Sequence, residues 1–315
     1  MSYLVSTIIP CYNAERTIEE AVDSALAQDL KDHEIVAVND GSTDSTSAIL
    51  ERYADKIKVI HQPNRGLSAA RNAAIARSAS KYIALLDSDD QWLPGKLVSV
   101  VAELERRPGA SLGFSEYGFV DADNVEYGQS RIFGEISSVE LLEKVPFPLF
   151  SLNQAIMPST WIVNRSRLEQ VGGFCEAFKG SGGFDDYWCL LLLRETGEFV
   201  YIPEKLVLYR LLYPSETADK YSAGLAVFAQ LVKRRYGRVG EEIALRAKDG
   251  YCRSVLSKTA QLMNRGQKLA ALRTLLHIAA VRPSYFLGVE FRDRLSLPKN
   301  RRRLQTLLTP SKPRL

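Results

Sequence analysis

Residues 81–94 read KYIALLDSDDQWLP, and the reading of this stretch decides the fold. Tyr82-Ile83-Ala84-Leu85-Leu86 is an apolar run of strand length, and it ends abruptly at Asp87-Ser88-Asp89-Asp90. A buried strand that delivers three carboxylates to its C-terminal end concentrates negative charge where a core has no use for it. Like charges so close raise one another's pKa unless a cation sits among them. Oxygen ligands at this spacing suit a hard divalent ion, Mg2+ or Mn2+. The plainer alternative has Asp90 capping a helix that starts near Pro94, with the other acids solvating a turn.

Towards the N-terminus the chain repeats one unit. Leu4 to Pro10 reads as a buried strand followed by Cys11-Tyr12-Asn13, and Ile18, Ala21, Val22, Ala25 and Leu26 share one helical face. Glu34 to Val38 is a second strand ending at Asn39-Asp40-Gly41-Ser42-Thr43-Asp44, with Thr43 or Asp44 as the N-cap of a helix through Ile49, Leu50 and Tyr53. Ile57 to Ile60 is a third strand, and Asn64-Arg65-Gly66-Leu67-Ser68 leads into an alanine-rich helix over 69–79. The quoted run is the fourth strand. Strands alternating with helices of this length predict βαβ units and a parallel arrangement. Ligands of such sheets bind beyond the strand C-termini. Tyr12, Asn13, Asn39, Asp40, Arg65 and the acidic cluster all fall there.

Towards the C-terminus the pattern gives a helix to about Arg106, strands near 112–120 and 161–163, and a short helix over 167–171 closed by Gly172-Gly173. A glycine run from Gly180 opens a leucine-rich helix at Asp185-Asp186, where two acids also suit a helix dipole. Strands over 199–203 and 206–210 follow, then basic amphipathic helices over 223–236, 242–264 and 268–281.

A chain of 315 residues holds one large or two modest domains, and its 46% hydrophobic and 25% charged content is that of a globular protein. Cys11, Cys175, Cys189 and Cys252 have no paired spacing, which argues against a zinc site and suits reduced cytoplasmic thiols. Met1-Ser2-Tyr3 runs straight into a core strand without a secretory pattern, and no run reaches the ~18 apolar residues of a membrane span. With 3 histidines in the chain, acid/base chemistry is expected from carboxylates. The net charge of +4 conceals an asymmetry: residues 220–315 carry 21 Lys and Arg against 5 Asp and Glu, a net +16, leaving −12 for residues 1–219.

VSTIIPCYNA at 5–14, VNDGSTD at 38–44, NRGLSAARN at 64–72, YIALLDSDD at 82–90 and GGF at 172–174 resemble, in this order, the inverting glycosyltransferases of family 2. The resemblance covers about residues 4–210. It implies the GT-A fold, an α/β nucleotide-diphospho-sugar transferase architecture with a Rossmann-like mixed sheet flanked by helices. The implied catalytic domain spans 1–219, with a nucleotide-binding half over 1–110 and an acceptor-binding half over 111–219. Residues 220–315 remain as a basic, helical C-terminal region.

By the same resemblance Pro10 and Tyr12 flank the nucleotide base, with Asn13 beside them, and Asp40 accepts the imide N–H of uracil or thymine. Asn39 replaces the first acid of the family's pattern. Arg71 and Asn72 lie on the pyrophosphate side, where Ser68 as a helix cap and the Arg71 charge would favour an anion. Asp87 and Asp89, with Ser88 between them, match the D-x-D that holds Mn2+ or Mg2+; Asp89 is the implied direct ligand and Asp87 reaches ribose or metal. The family's base stands in an E-D-x-D-L pattern before a helix-closing glycine. Counting back from Gly197 puts Asp185 and Asp186 on the E-D pair, with Asp186 as the base. Trp188 replaces the pattern's last acid. With Tyr187 it lines the acceptor sugar or packs in the core. Leu211 and Leu212 stand where many members carry a histidine that could bind metal.

The implied reaction moves a sugar from a UDP- or dTDP-sugar to a hydroxyl of a saccharide or lipid-linked saccharide, with inversion, in cell-surface polysaccharide biosynthesis. A sugar nucleotidyltransferase would show a glycine- and lysine-rich phosphate loop where Pro10-Cys11-Tyr12-Asn13 stands. A non-catalytic scaffold of a polysaccharide assembly complex has no need of Asp40, Asp89 and Asp186 together. The basic region is either a set of solvated helix faces or a surface for anionic inner-leaflet lipid, which would make a cytoplasmic protein peripheral to the membrane. Nucleic acid is not an expected partner, because no recognition motif accompanies the basic residues.

Overall fold

The computed structural model describes residues 3–129, 156–180, 184–210 and 218–264, together with Lys268, Leu272, Leu275 and Leu276. The chain divides into a unit of residues 1–215 and a unit of residues 216–315. In the first unit β1 (Tyr3–Cys11), β2 (His33–Asn39), β3 (Lys58–His61) and β4 (Ser80–Leu85) are parallel and lie in the order β3-β2-β1-β4. They are joined through α1 (Ile18–Leu26), α2 (Thr46–Glu51) and α3 (Leu67–Arg77). With β2 on one side of β1 and β4 on the other, the winding reverses at β1. Such a reversal opens a crevice beyond the strand C-termini, here those of β1 and β4.

Past β4 the sheet becomes mixed, which the alternating strands and helices of the first hundred residues did not foretell. The two-residue strand β5 (Gln91–Trp92) leads into α4 (Lys96–Arg106) and the long β6 (Ala110–Val120). The hairpin partner β7 (Glu126–Gln129) pairs antiparallel with β6. Strand β8 (Ile162–Asn164) is antiparallel to both β4 and β6, and β9 (Glu198–Arg210) runs parallel to β6 and antiparallel to β5. Among the described residues the sheet has nine strands, in the order β3-β2-β1-β4-β8-β6-β9-β5 with β7 beside β6. The two strands expected over 199–203 and 206–210 are the single strand β9. Pro203, which has no N–H to donate, falls in the unpaired step between Ile202 and Lys205.

Alternation along the strands builds a core on each face. Val5 and Ile9 of β1, with Tyr82 and Ala84 of β4, meet Ile18, Val22 and Ala25 of α1, Leu50 of α2, and Val100 and Leu104 of α4. Ile8, Ile83 and Leu85 point the other way, against Ala70 and Ala74 of α3 and residues of α5 (Arg165–Gln170) and α6 (Asp185–Thr196), such as Leu168, Leu190 and Leu193. This explains why Tyr82 to Leu86 is apolar throughout: the strand has no solvent face. The cap of α2 differs in detail from expectation. Ser45 holds the cap position, and Asp44 serves it from one residue earlier by accepting the Thr46 N–H at 3.0 Å.

In the second unit α7 (Ala218–Asn264) is two helices broken at Gly237, whose φ of 56° and ψ of −126° are not helical. Leu225, Phe228, Val232, Ile243, Ala244, Ala247 and Cys252 are its buried apolar residues. Of the expected helix over 268–281, Lys268, Leu272, Leu275 and Leu276 are described and helical; the rest lies outside the described residues. Leu272 and Leu276 are exposed. Among the described residues no helix is long and apolar enough to cross a membrane.

The packing of α6 against the sheet yields a stability prediction. Gly197 joins α6 to β9 in extended backbone, yet a Cβ there would meet the Gly109 carbonyl oxygen at 2.3 Å and the Ser111 nitrogen at 3.0 Å. Neither backbone atom can step aside cheaply. Gly197→Ala is expected to lower the free energy of unfolding by about 2 kcal/mol, read as a reduced urea midpoint at unchanged m.

Candidate active site

The rim above β1 and β2 is built from loops that tie themselves together. Asp40 is nearly inaccessible: its Oδ1 accepts from Gln62 Nε2 at 2.7 Å and the Arg65 N–H at 2.9 Å, and its Oδ2 accepts the Gly66 N–H at 2.8 Å. Asp40 thus shapes the turn of residues 62–66. Gly66, at φ 92°, is the N-cap of α3. Asn13, at φ 51°, accepts the Thr43 N–H at 2.8 Å through its side chain, while its own N–H donates to Ser42. Asn39 bonds His61 and the Ser42 N–H, so its amide serves the fold in place of a second acid. Pro10 ends in the strand, and Tyr12 stands out from the rim at 51% exposure, beside the crevice.

The centre of the site is Arg71. Its side chain is 1% exposed, and Nη2 donates to Asp87 Oδ1 at 2.9 Å while Nη1 reaches Asp185 Oδ2 at 3.2 Å and Asp186 Oδ1 at 3.7 Å. Its guanidinium also lies over the Phe174 ring, 5.0 Å from the centroid. Burial works against the charge on Arg71, but the carboxylates of Asp87, Asp185 and Asp186 outweigh it and hold the group more firmly protonated than usual. Ser68, expected as a helix cap, instead lies inside α3 and donates to Asp185 Oδ2 at 3.1 Å. Asn72 clasps the glycine turn, donating to the Phe174 carbonyl at 2.8 Å and accepting its N–H at 2.9 Å. Arg71 and Asn72 were expected to face an anion, and in this structure both are engaged inside the protein.

Asp186 is 21% exposed at the first turn of α6. Burial first, and then the neighbouring Asp185, push its carboxyl well above the usual carboxylate range, with Arg71 opposing. Beside it Trp188 is buried and Tyr187 half-buried, its ring 5.6 Å from that of Phe184. The core alternative for Trp188 is the one the structure realises.

The acidic turn divides its labour. Asp87 is a quarter exposed and paired with Arg71, and Ser88 and Asp89 are half-buried. Burial, then the adjacent Asp87 carboxylate, raises the Asp89 carboxyl to about 6. Asp90 is buried and does not cap α4, whose N-cap is Gly95. Its Oδ1 accepts the Arg210 N–H at 2.9 Å, and its Oδ2 accepts from the Ser159 hydroxyl. Arg210, also buried, donates to the Asp89 carbonyl at 2.9 Å, to the Asp121 carbonyl at 3.1 Å, and to Glu20 of α1. Ser159, Arg210 and Glu20 are functional-site neighbours that sequence reading missed. Nothing in their local pattern marks them, because each reaches the turn across a long sequence separation. Leu211 and Leu212 lie outside the described residues.

Among the described residues no three His, Cys, Asp or Glu side chains form a group that could hold a metal by themselves. Asp87 and Asp89 supply two hard oxygen donors on one turn. A divalent ion of the Mg2+ type takes one or two carboxylates and completes its shell with substrate phosphates and water. The pair fits such an ion.

An open α/β sheet with a winding reversal at β1 and an acidic turn at the end of β4 is the GT-A fold. The chain belongs to Glycosyl transferase family 2, whose sequence profile matches residues 6–166. It is 28% identical over 222 residues to an uncharacterized glycosyltransferase of Rickettsia typhi, covering 69% of this chain and 67% of that one. It is 41% identical over 120 residues to TuaG of Bacillus subtilis, a putative teichuronic acid biosynthesis glycosyltransferase, covering 37% of this chain and 46% of that one. The match to EpsJ of Bacillus subtilis, an uncharacterized glycosyltransferase, spans 28% of this chain and 26% of that one, at 51% identity. Among solved structures, residues 1–349 of S. aureus TarS in complex with UDP-GlcNAc superpose with a TM-score of 0.58 at 17% identity, covering 90% of this chain and 92% of that one. The mannosyltransferase PcManGT from Pyrobaculum calidifontis, in complex with GDP-Man and Mn2+, superposes with a TM-score of 0.54 at 18% identity, covering 98% and 84%.

Removing the central cation should expose the cost of the acids around it. Arg71→Met leaves Asp185 buried without its countercharge, and a loss of about 3–5 kcal/mol at pH 7 is expected. With Arg71 gone the folded-state carboxyl of Asp186 rises further above its ordinary value, so the folded chain binds more protons in mild acid. The deficit relative to wild type should shrink as the pH falls from 7 towards 5, measured by urea denaturation at both values.

Proposed function

We propose that the chain transfers a sugar from a UDP- or dTDP-sugar to a hydroxyl of a saccharide or lipid-linked saccharide acceptor, with inversion at the anomeric carbon, in the assembly of a cell-surface polysaccharide. The observation that carries this reading is the bridge made by Arg71. One buried guanidinium touches Asp87, on the turn read as metal-holding, and lies 3.7 Å from Asp186, on the helix read as carrying the base. Donor-side and acceptor-side carboxylates therefore share one site. The names of TuaG, a teichuronic acid enzyme, and TarS, bound to UDP-GlcNAc, support the polysaccharide context and the uridine donor.

In the proposed reaction the acceptor oxygen forms its bond to the anomeric carbon as the bond from that carbon to the donor diphosphate breaks. Asp186 takes the acceptor proton, and its raised affinity for protons suits a general base. Asp185 and Arg71 orient Asp186, and the nucleoside diphosphate leaves from the opposite face. Asp87 and Asp89 would hold Mn2+ or Mg2+, whose chemistry here is neutralisation of the departing diphosphate's charge. Pro10 and Tyr12 would bracket the base beside Asn13, and Asp40 would read its imide edge. Ser88 would stand on the diphosphate and ribose side. Tyr187 would bound the acceptor cleft. In this reading the catalytic part is residues 1–219.

A donor panel supplied with Mn2+ tests the assignment. Asp89→Ala is expected to abolish release of nucleoside diphosphate from the preferred donor; unchanged release would overturn the reading. Asp186→Asn should lower kcat for transfer by about 10²–10⁴ while leaving nucleoside diphosphate affinity unchanged. The anomeric configuration of the product, read by NMR, distinguishes inversion from retention.

For residues 220–315 the proposal is peripheral docking on anionic lipid at the inner face of the membrane, near a lipid-linked acceptor. Its support is the excess of 21 basic over 5 acidic residues, with Leu272 and Leu276 exposed one helical turn apart at 39% and 63% and Lys268 one turn before them. Flotation with vesicles containing anionic phospholipid should recover the protein, and added salt should release it. Equal recovery with neutral vesicles would remove the idea.

A further inference from the structure

The acidic turn carries four polar residues, and the structure separates those that are held from those that are left over. Asp87 is held by its backbone: its N–H donates to the Ser159 hydroxyl oxygen at 3.0 Å. The same hydroxyl donates its proton to Asp90 Oδ2, so one oxygen ties both ends of the turn. Ser159 has no accessible surface, and its hydroxyl lies across the chain from the turn, on the 3-10 turn Pro158–Thr160. That turn is fixed in its own right. Trp92 Nε1 donates to the Ser159 carbonyl at 2.8 Å, Lys96 Nζ donates to the Thr160 carbonyl at 2.8 Å, and the Thr160 hydroxyl donates to the Met157 carbonyl at 2.7 Å. From the other side Arg210 grips the Asp90 carboxylate through its N–H and the Asp89 carbonyl through Nε.

We propose that Ser159 is a positioning residue for the donor-side cation: by clamping Asp87 and Asp90 together it sets the direction in which the Asp87 and Asp89 carboxylates present their oxygens. Asp90 is then the acid that serves the clamp, while Asp89 and Asp87, the latter with one oxygen on Arg71, keep partial exposure towards an ion. This rests on the reading of Asp87 and Asp89 as the cation-holding pair. The physical reason is preorganisation. A divalent ion tolerates little error in ligand direction, and groups that orient ligands without touching the ion typically change its affinity by about 10–100-fold when removed. The Asp87 and Asp89 carboxylates repel one another, and the Ser159 bonds, with the Arg71 contact to Asp87 and the Arg210 contacts to Asp89 and Asp90, hold the turn against that repulsion.

The test uses the full chain, with UDP present and Mn2+ titrated in. Water-proton relaxation reports the ion held on the protein, and urea denaturation of each variant follows stability separately. Asp89→Asn should abolish the relaxation enhancement seen with wild type. Ser159→Ala should weaken Mn2+ binding by about 10-fold. Ser159→Cys, which keeps the shape but bonds poorly, should shift it in the same direction and carries the test if the alanine variant does not fold. A hydroxyl with a purely structural role would lower the urea midpoint and leave the Kd of the folded variants at the wild-type value, and that result overturns the proposal. If Asp89→Asn binds Mn2+ as wild type does, the cation-holding assignment itself falls and takes the proposal with it; the two failures are told apart by which variant is silent.

Discussion

Everything at the rim depends on one buried ion cluster. Arg71 sits on the face of α3 that packs against the sheet, with its guanidinium inside the protein and three carboxylates around it. Desolvating a cation is costly, and desolvating several anions in one place is costlier; each is tolerable only because the other is present. The cluster therefore welds the end of β4, the body of α3 and the first turn of α6 into one piece. Those three elements come from well-separated parts of the sequence. Their meeting brings the acidic turn and the Asp185-Asp186 pair into one site.

The cluster also explains an uneven distribution of proton affinity. Arg71 lies closer to Asp87 and Asp185 than to Asp186, so Asp186 receives the smallest share of the positive charge while standing beside another acid. Burial first, and then the neighbouring Asp185, hold its carboxyl above the ordinary range. Two adjacent aspartates at one helix start thus differ in character. Asp185 is an anchor, bonded to Ser68 and Arg71, and Asp186 is the one with access to the outside. The acidic turn repeats the arrangement: Asp90 is an anchor for Ser159 and Arg210, whereas Asp87 and Asp89 retain exposure. In both places a run of acids that looks uniform in sequence is sorted by burial into holding and working members.

Much of this was legible from local pattern. The apolar run at Tyr82 to Leu86 and the succession of the strand over 4–10 and the helix that follows it read correctly, because a strand buried on both faces shows as a nearly continuous apolar run and βαβ units have a short repeat. The ordered motifs placed the chain in its family. Reading failed where partners are remote. Ser68 looked like a cap by composition, but Gly66 takes that position because its φ of 92° disfavours other residues. Asp90 looked like a cap for α4 until its neighbours across the sheet were known. Asn72 looked like an anion ligand, yet its amide matches the backbone groups of Phe174 on both sides.

The sequence by itself determined the strand and helix order, the placing of polar residues at strand C-termini and the family, because each is written in short-range periodicity or in contiguous motifs. Only the tertiary structure decided which acids are buried anchors and which face the crevice. It also decided that a serine and an arginine from distant segments hold the acidic turn. Those outcomes depend on desolvation and on hydrogen bonds between groups more than sixty residues apart, and such quantities exist only once the chain has folded.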